Sequence, residues 1–284
     1  MDDLSRTYCV IGDPIDHSLS PIIHRLIYKV LDLKLHYEAV RVKRDDLKDF
    51  INGTKKFWRP GFNVTIPHKE RIIDLLDELD PLAKEIGAVN TVRNSNGLLK
   101  GYNTDVEGFE YALRRVEWNR NGDVVILGAG GAARAAVYAL ISKVKGKLFV
   151  FNRTPQRAEN LARDFSNRGS IEACSMDHDM LARTLFNSTL LVNATPIGMW
   201  PDVDSSPLPS AEMISQDMVV FDMIPNPVFT RLLKQAESKG ARVVSGLSML
   251  IFQALGAERI WIGITFPHDI YDRIWNLVVE STNG

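Results

Sequence analysis

The chain has 284 residues, which at about 150 residues per domain corresponds to roughly two domains. Its 34 lysines and arginines nearly balance its 35 aspartates and glutamates, leaving a formal net charge of −1. A strong binder of nucleic acid or of an anionic membrane surface carries a basic surplus, so neither partner is expected.

The cysteines and the longest apolar runs exclude further classes. Cys9 and Cys174 are far apart and show no metal-ligand spacing with other Cys or His residues, which argues against a disulfide framework or a zinc site. The polar, acidic N-terminus is not typical of a signal peptide, and no apolar run approaches the ~20 residues of a membrane span. The composition therefore predicts a metal-free protein of the reducing cytoplasm.

The first hundred residues predict an α/β unit. Ser20 and Pro21 predict the start of a helix, with Ser20 as N-cap and Pro21 at the first helical position. The expected strands lie at 8–11, 37–40 and 61–65, followed by a hairpin at 88–102 that turns at 94–97.

From residue 123 onward, continuous apolar strands alternate with helices. The expected strands are 123–127, 148–151, 190–193, 218–222 and 241–245, and the expected helices include 132–142 and 155–167. This alternation is typical of a Rossmann-type, doubly wound parallel sheet that is covered on both faces. We therefore expect a nucleotide-binding domain at 106–246, a substrate-binding domain at 1–105 plus 247–284, and an active site in the cleft between them.

A glycine-rich segment lies between the first of these strands and the helix that follows. Gly128 allows a tight turn, Gly130 lets the backbone approach a pyrophosphate, and Ala133 stands where the usual fingerprint has a third glycine. The helix N-terminus adds free N–H groups and the positive end of the helix dipole. The segment predicts a dinucleotide site; a ligand-free glycine turn and a methyltransferase-type nucleotide site are the alternatives.

The end of the next strand indicates which dinucleotide is bound. An NAD site usually carries Asp or Glu there to bind the ribose 2′-hydroxyl, whereas this chain has Asn152, Arg153 and Thr154, followed by Arg157. Two guanidinium groups can hold a 2′-phosphate through charge-assisted hydrogen bonds worth about 1.5–3 kcal/mol each. We expect NADP rather than NAD; the alternative is that both arginines form a solvated helix start.

Several polar motifs stand at predicted strand ends in the first domain. Ser18 and Ser20 suit a small carboxylate, and Lys69 is the candidate proton donor, with His17 and His68 as weaker candidates. The side chains that suit vicinal hydroxyls are Thr65, Asn90 and Asp105. Each motif alone is also explained as a cap, a turn or a surface lysine, but their joint occurrence favours a binding site.

Together the motifs resemble the shikimate dehydrogenase family, which includes the quinate/shikimate dehydrogenases. The resemblance covers nearly the whole chain, and its most specific parts are Asn63-Val-Thr-Ile-Pro-His-Lys69 and Gly87-Ala-Val-Asn-Thr91. The segments that carry it are 18–21, 63–69, 87–91, 103–105, 128–134, 152–157, 193–199 and 246–253.

The resemblance implies reversible reduction of 3-dehydroshikimate to shikimate by NADPH, a step of chorismate and aromatic amino-acid biosynthesis. Lys69 and Asp105 would then be the catalytic pair. Ser18 and Ser20 would bind the substrate carboxylate. The ring hydroxyls would be held by Thr65, Asn90, Asp105 and Gln253. The cofactor would contact Gly128, Ala129, Gly130, Gly131, Ala132, Asn152, Arg153, Thr154, Arg157, Thr195, Met223 and Gly246.

One position departs from the family pattern. The family commonly carries Asp-x-x-Tyr-x-Pro after the fifth strand of the nucleotide domain, but this chain has Pro225 in place of the tyrosine. Because Pro225 supplies no hydroxyl, the choice between shikimate and quinate stays open. A broad-specificity quinate/shikimate dehydrogenase and a catalytically silent NADP-binding homologue are the alternatives, and a homodimer is one candidate assembly.

Overall fold

The computed structural model of the protein describes residues 6–57 and 59–282 and confirms the α/β class. The chain divides into two compact units, Met1–Gly108 with Leu250–Gly284, and Phe109–Met249. The C-terminal tail thus belongs to the same unit as the first hundred residues. No helix within the described ranges is both long and apolar enough to cross a membrane.

The helices and strands follow in chain order. The elements up to residue 114 are β1 (Thr7–Gly12), α1 (Ser20–Val30), β2 (His36–Arg41), α2 (Leu47–Phe57), β3 (Gly61–Val64), β4 (Glu78–Leu79), α3 (Pro81–Ile86), β5 (Thr91–Ser95), β6 (Leu98–Tyr102) and α4 (Asp105–Arg114). The later elements are β7 (Asp123–Leu127), α5 (Gly131–Leu140), β8 (Leu148–Asn152), α6 (Pro155–Asp164), β9 (Ile171–Ser175), α7 (His178–Phe186), β10 (Ser188–Asn193), β11 (Val219–Asp222), α8 (Arg231–Ser238), β12 (Arg242–Ser245), α9 (Gly246–Ile262) and α10 (Ile270–Thr282).

The sheet of the first unit has the strand order β2-β1-β3-β5-β6-β4. β1 is parallel to β2 and β3, whereas β3, β5 and β6 pair antiparallel in turn. Asn63 on β3 faces Thr91 on β5, and Thr91 faces Tyr102 on β6. The end of β3, the start of β5 and the end of β6 therefore lie side by side at the same end of the strands. The polar motifs adjoin all three.

The sheet of the second unit is parallel throughout, with the order β12-β11-β10-β7-β8-β9. This is the doubly wound order, in which the direction of winding reverses at β7. The register aligns the last residues of neighbouring strands, with Leu127 beside Phe151 and Asn193, and Asn193 beside Asp222. In this type of sheet, the ligand-binding loops follow the carboxyl ends of the strands.

Separate apolar cores support the two sheets. In the first unit Ile11, Ile51 and Phe62 belong to a cluster of buried side chains beneath the sheet. In the second unit Leu127, Phe151 and other buried side chains form a corresponding cluster. The near-continuous burial of β7 and β10 explains why apolar runs marked these strands so clearly in the sequence.

The predicted cap of α1 is wrong. Ser20 is the first helical residue, and Leu19 holds the N-cap position with a helical backbone (φ −78°, ψ −8°) and no side-chain cap. Because Leu19 has already turned into the helix, the Ser20 N–H points back, and Ser18 Oγ accepts it at 3.3 Å. Pro21 stands in the first turn, as expected.

In the second unit, two predicted helices need correction and one strand was missed. The helices predicted at 132–142 and 155–167 are the shorter α5 and α6, which end at Leu140 and Asp164. The edge strand β9 was not predicted, because its side chains are mostly exposed or half-buried and it therefore lacks the apolar run of its neighbours.

Candidate active site

Lys69 and Asp105 meet where the polar motifs adjoin the ends of β3, β5 and β6. Lys69 follows the turn after β3, and its carbonyl accepts the Val89 N–H at 2.8 Å. Asp105 begins α4, where its N–H donates to Asn103 Oδ1 at 3.0 Å. Lys69 Nζ lies 2.6 Å from Asp105 Oδ2, and the two side chains are 15% and 4% exposed. The ammonium and carboxylate thus form a largely buried pair that still has access to solvent at the lysine.

Asn90 is the centre of the hydrogen bonds around this pair. Its Nδ2 lies 2.9 Å from Asp105 Oδ1 and 3.1 Å from Gln253 Oε1. Its Oδ1 accepts the Thr104 N–H at 2.8 Å. An amide can donate and accept at once, so a single side chain fixes the segment after β6, the start of α4 and α9. The structure therefore brings together Lys69, Asn90, Asp105 and Gln253 among the predicted substrate residues.

A second layer of polar side chains holds Asn90, and it was not predicted as part of the site. Asn63 Nδ2 donates to the Asn90 carbonyl and to Thr91 Oγ1, both at 3.0 Å. Asn63 Oδ1 accepts the Tyr37 hydroxyl at 2.6 Å. Burial raises the pKa of Tyr37 well above its usual value, so the phenol stays a donor. The available signal was Asn63 itself, since an amide within an apolar strand needs buried partners.

The predicted carboxylate-binding serines lie at the start of α1. Ser20 is buried and Ser18 is half-buried beside the helix N-terminus, whose free N–H groups favour an anion. Thr65 is half-buried, and its N–H donates to the Ile11 carbonyl at 2.9 Å. Among the described residues, no hydrogen bond connects the side chains of Ser18, Ser20 or Thr65 to Asn90 or Lys69.

The two histidines of the same motifs stand elsewhere. His68 is fully buried, and its Nε2 lies 2.7 Å from the Val42 carbonyl. The ring is therefore engaged with the backbone on the side of the core. His17 is exposed in the loop before Ser18.

The glycine loop of the second unit joins β7 to α5. Gly128 has φ +105°, and a Cβ there would lie 3.0 Å from the Ala194 carbonyl oxygen and 3.3 Å from Thr195 Cγ2. Only glycine combines this backbone with so close an approach. Gly130 is the N-cap of α5, and Gly131 and Ala132 begin the helix and are half-buried. Ala129 is buried beneath the turn.

The predicted arginine pair lies after β8. Asn152 ends the strand and donates from Nδ2 to the Thr154 carbonyl at 2.8 Å, which fixes the turn into α6. Arg153 and Arg157 are both exposed. A Cβ built on Gly130 would lie 3.9 Å from Arg157 Nη2, so this guanidinium reaches the glycine loop.

Asn193 and Asp222 support the remaining cofactor-site candidates and were missed in that role. Asn193 Oδ1 accepts the Thr195 N–H at 3.0 Å and hydroxyl at 2.7 Å, while its Nδ2 donates to Asp222 Oδ1 at 3.0 Å. The Asn193 carbonyl accepts the Met223 N–H. Burial raises the pKa of Asp222 to about 6, against the lowering effect of its hydrogen bonds from Thr230, Ile224 and Asn193.

Gly246 also lies at the carboxyl ends of the strands in the second sheet, directly after β12. A Cβ on Gly246 would lie 2.5 Å from backbone atoms of Met223 and Ile224, so any larger residue would displace that segment. The end of β11 is therefore fixed from both sides, by Asn193 and by the start of α9.

These features fit a dinucleotide that carries a 2′-phosphate. The glycine turn and the α5 N-terminus offer backbone N–H groups to a pyrophosphate. A guanidinium stands over Gly130, and β8 ends with Asn152 rather than with a carboxylate that would repel a second phosphate. Within the described ranges, no group of three or more His, Cys, Asp or Glu side chains is placed to hold a metal ion.

A doubly wound dinucleotide-binding unit together with a buried lysine–carboxylate site defines a pyridine-nucleotide-dependent oxidoreductase. Family models agree in detail. Residues 10–92 match the shikimate dehydrogenase substrate binding domain, and residues 110–198 match shikimate / quinate 5-dehydrogenase.

Individual relatives extend the match over more than nine-tenths of the chain. The shikimate dehydrogenase (NADP(+)) of Methanopyrus kandleri is 43% identical over 265 residues, covering 92% of this chain and 91% of the relative. A crystal structure of shikimate dehydrogenase in complex with NADP+ is 37% identical with a TM-score of 0.85, over 97% of this chain and 95% of the other.

A third comparison includes both ligands. The crystal structure of shikimate 5-dehydrogenase from Thermus thermophilus in complex with NADP(H) and shikimate is 36% identical, with a TM-score of 0.81 over 95% of this chain and 98% of the other. The chain belongs to the shikimate dehydrogenase family, and the resemblance predicted from its motifs is confirmed.

Proposed function

We propose that the protein is an NADP-dependent shikimate dehydrogenase, which reversibly reduces 3-dehydroshikimate to shikimate in aromatic amino-acid biosynthesis. The observation that carries the proposal is the buried cluster of Lys69, Asp105, Asn90 and Gln253 in a chain whose relatives are shikimate dehydrogenases. An ammonium, a carboxylate and two amides within one cluster suit a polyhydroxylated ring that gains or loses a proton.

Lys69 has the central chemical role in this proposal. NADPH, when bound, supplies the hydride that reduces the ketone carbon. Negative charge then develops on the ketone oxygen, and Lys69 Nζ donates the proton that neutralises it. In the direction of oxidation, uncharged Lys69 accepts the hydroxyl proton instead. Asp105 Oδ2, 2.6 Å from Nζ, orients the Lys69 nitrogen in both directions of the reaction.

The remaining candidate residues of the first unit bind the substrate and orient it. Asn90 and Gln253 present amide groups beside Asp105, which suit the ring hydroxyls. Ser18 and Ser20 hold the carboxylate at the start of α1, where the helix N-terminus favours negative charge. Thr65 completes the proposed hydroxyl-binding group.

The proposed coenzyme contacts come from residues at the carboxyl ends of the strands in the second sheet. Gly128, Gly130 and the first turn of α5 offer N–H groups to the pyrophosphate, with Ala129, Gly131 and Ala132 as their neighbours. Arg153 and Arg157 hold the 2′-phosphate beside Asn152 and Thr154. The loop residues Thr195, Met223 and Gly246 lie at the same strand ends.

The site residues leave the choice between two related acids open to test. Pro225 is half-buried in the segment where the family commonly has tyrosine, and its side chain supplies no hydroxyl there. The proposal includes a preference for shikimate over quinate and a cytoplasmic location. It also includes a homodimer, which light scattering tests.

The test is a spectrophotometric panel that combines shikimate or quinate with NADP or NAD and follows absorbance of the reduced nicotinamide. We expect the highest kcat/KM for shikimate with NADP. Equal efficiency with quinate would indicate the broad-specificity alternative. Absence of turnover in all four combinations, with NADP binding retained, would indicate a catalytically silent homologue.

A further inference from the structure

A histidine–glutamate pair lies at the centre of the first unit, outside the residues assigned above. His24 Nδ1 lies 2.5 Å from Glu258 Oε1, within hydrogen-bond distance, and both side chains are fully buried. His24 lies in the middle of α1, and Glu258 lies in the second half of α9. Burying such a pair is costly, and apolar residues of the same size often stabilise a core as well or better. A gain in stability is therefore a weak explanation for this pair.

Aromatic contacts connect the pair to the site. The His24 ring stacks on Tyr37, with centroids 3.9 Å apart and planes 3° apart. The Tyr37 hydroxyl donates to Asn63, which in turn donates to the carbonyl of Asn90. A continuous series of contacts thus runs from His24 to the residue that holds Asp105.

The two helices joined by the pair also carry substrate-binding candidates. His24 follows Ser20 by four residues, so the two side chains share one face of α1. Gln253 precedes Glu258 on α9 and lies 3.1 Å from Asn90 Nδ2. The bond between His24 and Glu258 therefore closes a ring of contacts through α1, Tyr37, Asn63, Asn90, Gln253 and α9.

α9 has a second anchor farther along the helix. Trp261 Nε1 donates to the Val92 carbonyl at 2.9 Å, and its ring stacks on Tyr8. This anchor fixes α9 on the sheet. The His24–Glu258 bond has a different effect, because it fixes the spacing between α9 and α1.

We infer that His24 and Glu258 are positioning residues for substrate binding, which set the distance between the serines at the start of α1 and the amides of Gln253 and Asn90. A carboxylate held at one end and hydroxyls held at the other require a fixed spacing, since small displacements weaken multipoint binding. The role depends on the proposed function, because shikimate is the ligand with these groups.

The test distinguishes the effect of the His24–Glu258 hydrogen bond from that of the stacking of His24 on Tyr37. It also distinguishes that effect from a general loss of protein stability. His24→Phe keeps the ring on Tyr37 but loses the bond, whereas His24→Asn keeps a donor near the Nδ1 position. Glu258→Ala loses the acceptor, whereas Glu258→Gln keeps it. Ile51→Ala is the matched control, since Ile51 is buried in the same unit but lies outside the ring of contacts.

We expect His24→Phe and Glu258→Ala to raise the KM for shikimate by about tenfold or more, because displaced substrate-binding groups would lose the equivalent of about one hydrogen bond to the substrate. The KM for NADP and the kcat should change by less than about threefold. His24→Asn and Glu258→Gln should restore most of the shikimate affinity. Ile51→Ala should lower the Tm while leaving the KM for shikimate unchanged.

Two results would overturn the role. One is an unchanged KM for shikimate in both bond-breaking variants. The other is a result that matches Ile51→Ala, namely a lower Tm with no selective rise in the KM for shikimate, which is what a purely structural pair would give. If the bond-breaking variants do not fold, Glu258→Asp serves instead, because it keeps the charge and shortens the link by about 1.5 Å, one carbon–carbon bond.

Crystal structures keep the role testable if shikimate proves not to be a substrate. The distance between Ser20 Oγ and Gln253 Nε2 is then compared in the unmodified protein and in Glu258→Asp. A change of about 1 Å or more supports the role, since a shortened link must draw the helices together. An identical distance refutes it. Failure of the proposed function is seen separately, as absence of shikimate turnover in the unmodified protein.

Discussion

Lys69 Nζ and Asp105 Oδ2 lie 2.6 Å apart, although 36 residues separate the two in the sequence. Each is held by its backbone: Lys69 through the N–H of Val89, and Asp105 through the side chain of Asn103. Contacts within the protein thus position the pair, and a fixed position of the proton donor favours efficient proton transfer.

Replacing Lys69 tests the proposed proton donor. Lys69→Ala should lower kcat by about 10²–10⁴-fold, the usual contribution of a general acid, with NADP binding and folding retained. Lys69→Arg is the matched variant, because it keeps a cation beside Asp105 but does not release a proton. It should be almost as inactive. The measurement is steady-state kinetics with coenzyme fluorescence titration, and a change confined to KM would mean that Lys69 only binds substrate.

Ser20→Ala tests recognition of the substrate carboxylate. The lost hydroxyl should raise the KM for shikimate by about tenfold, with little change in kcat, because the interaction is present in ground state and transition state alike. Shikimate methyl ester is the control, since its uncharged ester does not need the site at the start of α1. Equal losses for the acid and the ester would contradict the assignment.

Arg153 and Arg157 should determine the choice of coenzyme. Arg153→Ala and Arg157→Ala are each expected to lower the NADP/NAD ratio of kcat/KM by about tenfold or more, because each removes a charge-assisted bond to the 2′-phosphate. Efficiency with NAD should stay nearly constant. Arg163→Ala provides the control, since Arg163 is an exposed arginine near the other end of α6. An unchanged ratio in both test variants would show that these arginines are only solvated.

Asp222 gives a stability prediction with a definite sign. Burial raises its pKa from 3.8 to about 6, so the folded protein keeps a proton that the unfolded chain has already released. Its contribution to stability is therefore greatest below about pH 4 and decreases as the pH rises to about 6, by about 3 kcal/mol in total. Relative to Asp222→Asn, the unmodified protein should lose this amount of unfolding free energy between about pH 4 and pH 7.

Urea unfolding followed by circular dichroism measures this difference. Asp77→Asn is a control of opposite sign, because the Leu99 N–H and Lys55 lower the pKa of Asp77. Its carboxylate contributes stability that is lost as the pH falls. A difference between the unmodified protein and Asp222→Asn that does not vary with pH would show that Asp222 is ionised in the folded protein throughout.

Much of the fold was predictable because it depends on local pattern. The apolar runs of β7, β8 and β10 are visible in the sequence since both faces of those strands are largely buried. β9 was not, because an edge strand with exposed side chains carries no such run. The cap of α1 was misplaced for a related reason: whether Leu19 or Ser20 turns first into the helix depends on the loop before it, not on cap preference alone.

The sequence by itself determined the α/β class, the glycine loop, the arginines after β8 and the identity of the polar motifs, since each depends on neighbours a few residues apart. Only the tertiary structure decided which distant groups meet. Asn90 reaches Gln253 across 163 residues, and His24 reaches Glu258 across 234. Such partners have no local signature, because a buried polar side chain requires a partner but does not specify from which segment it comes.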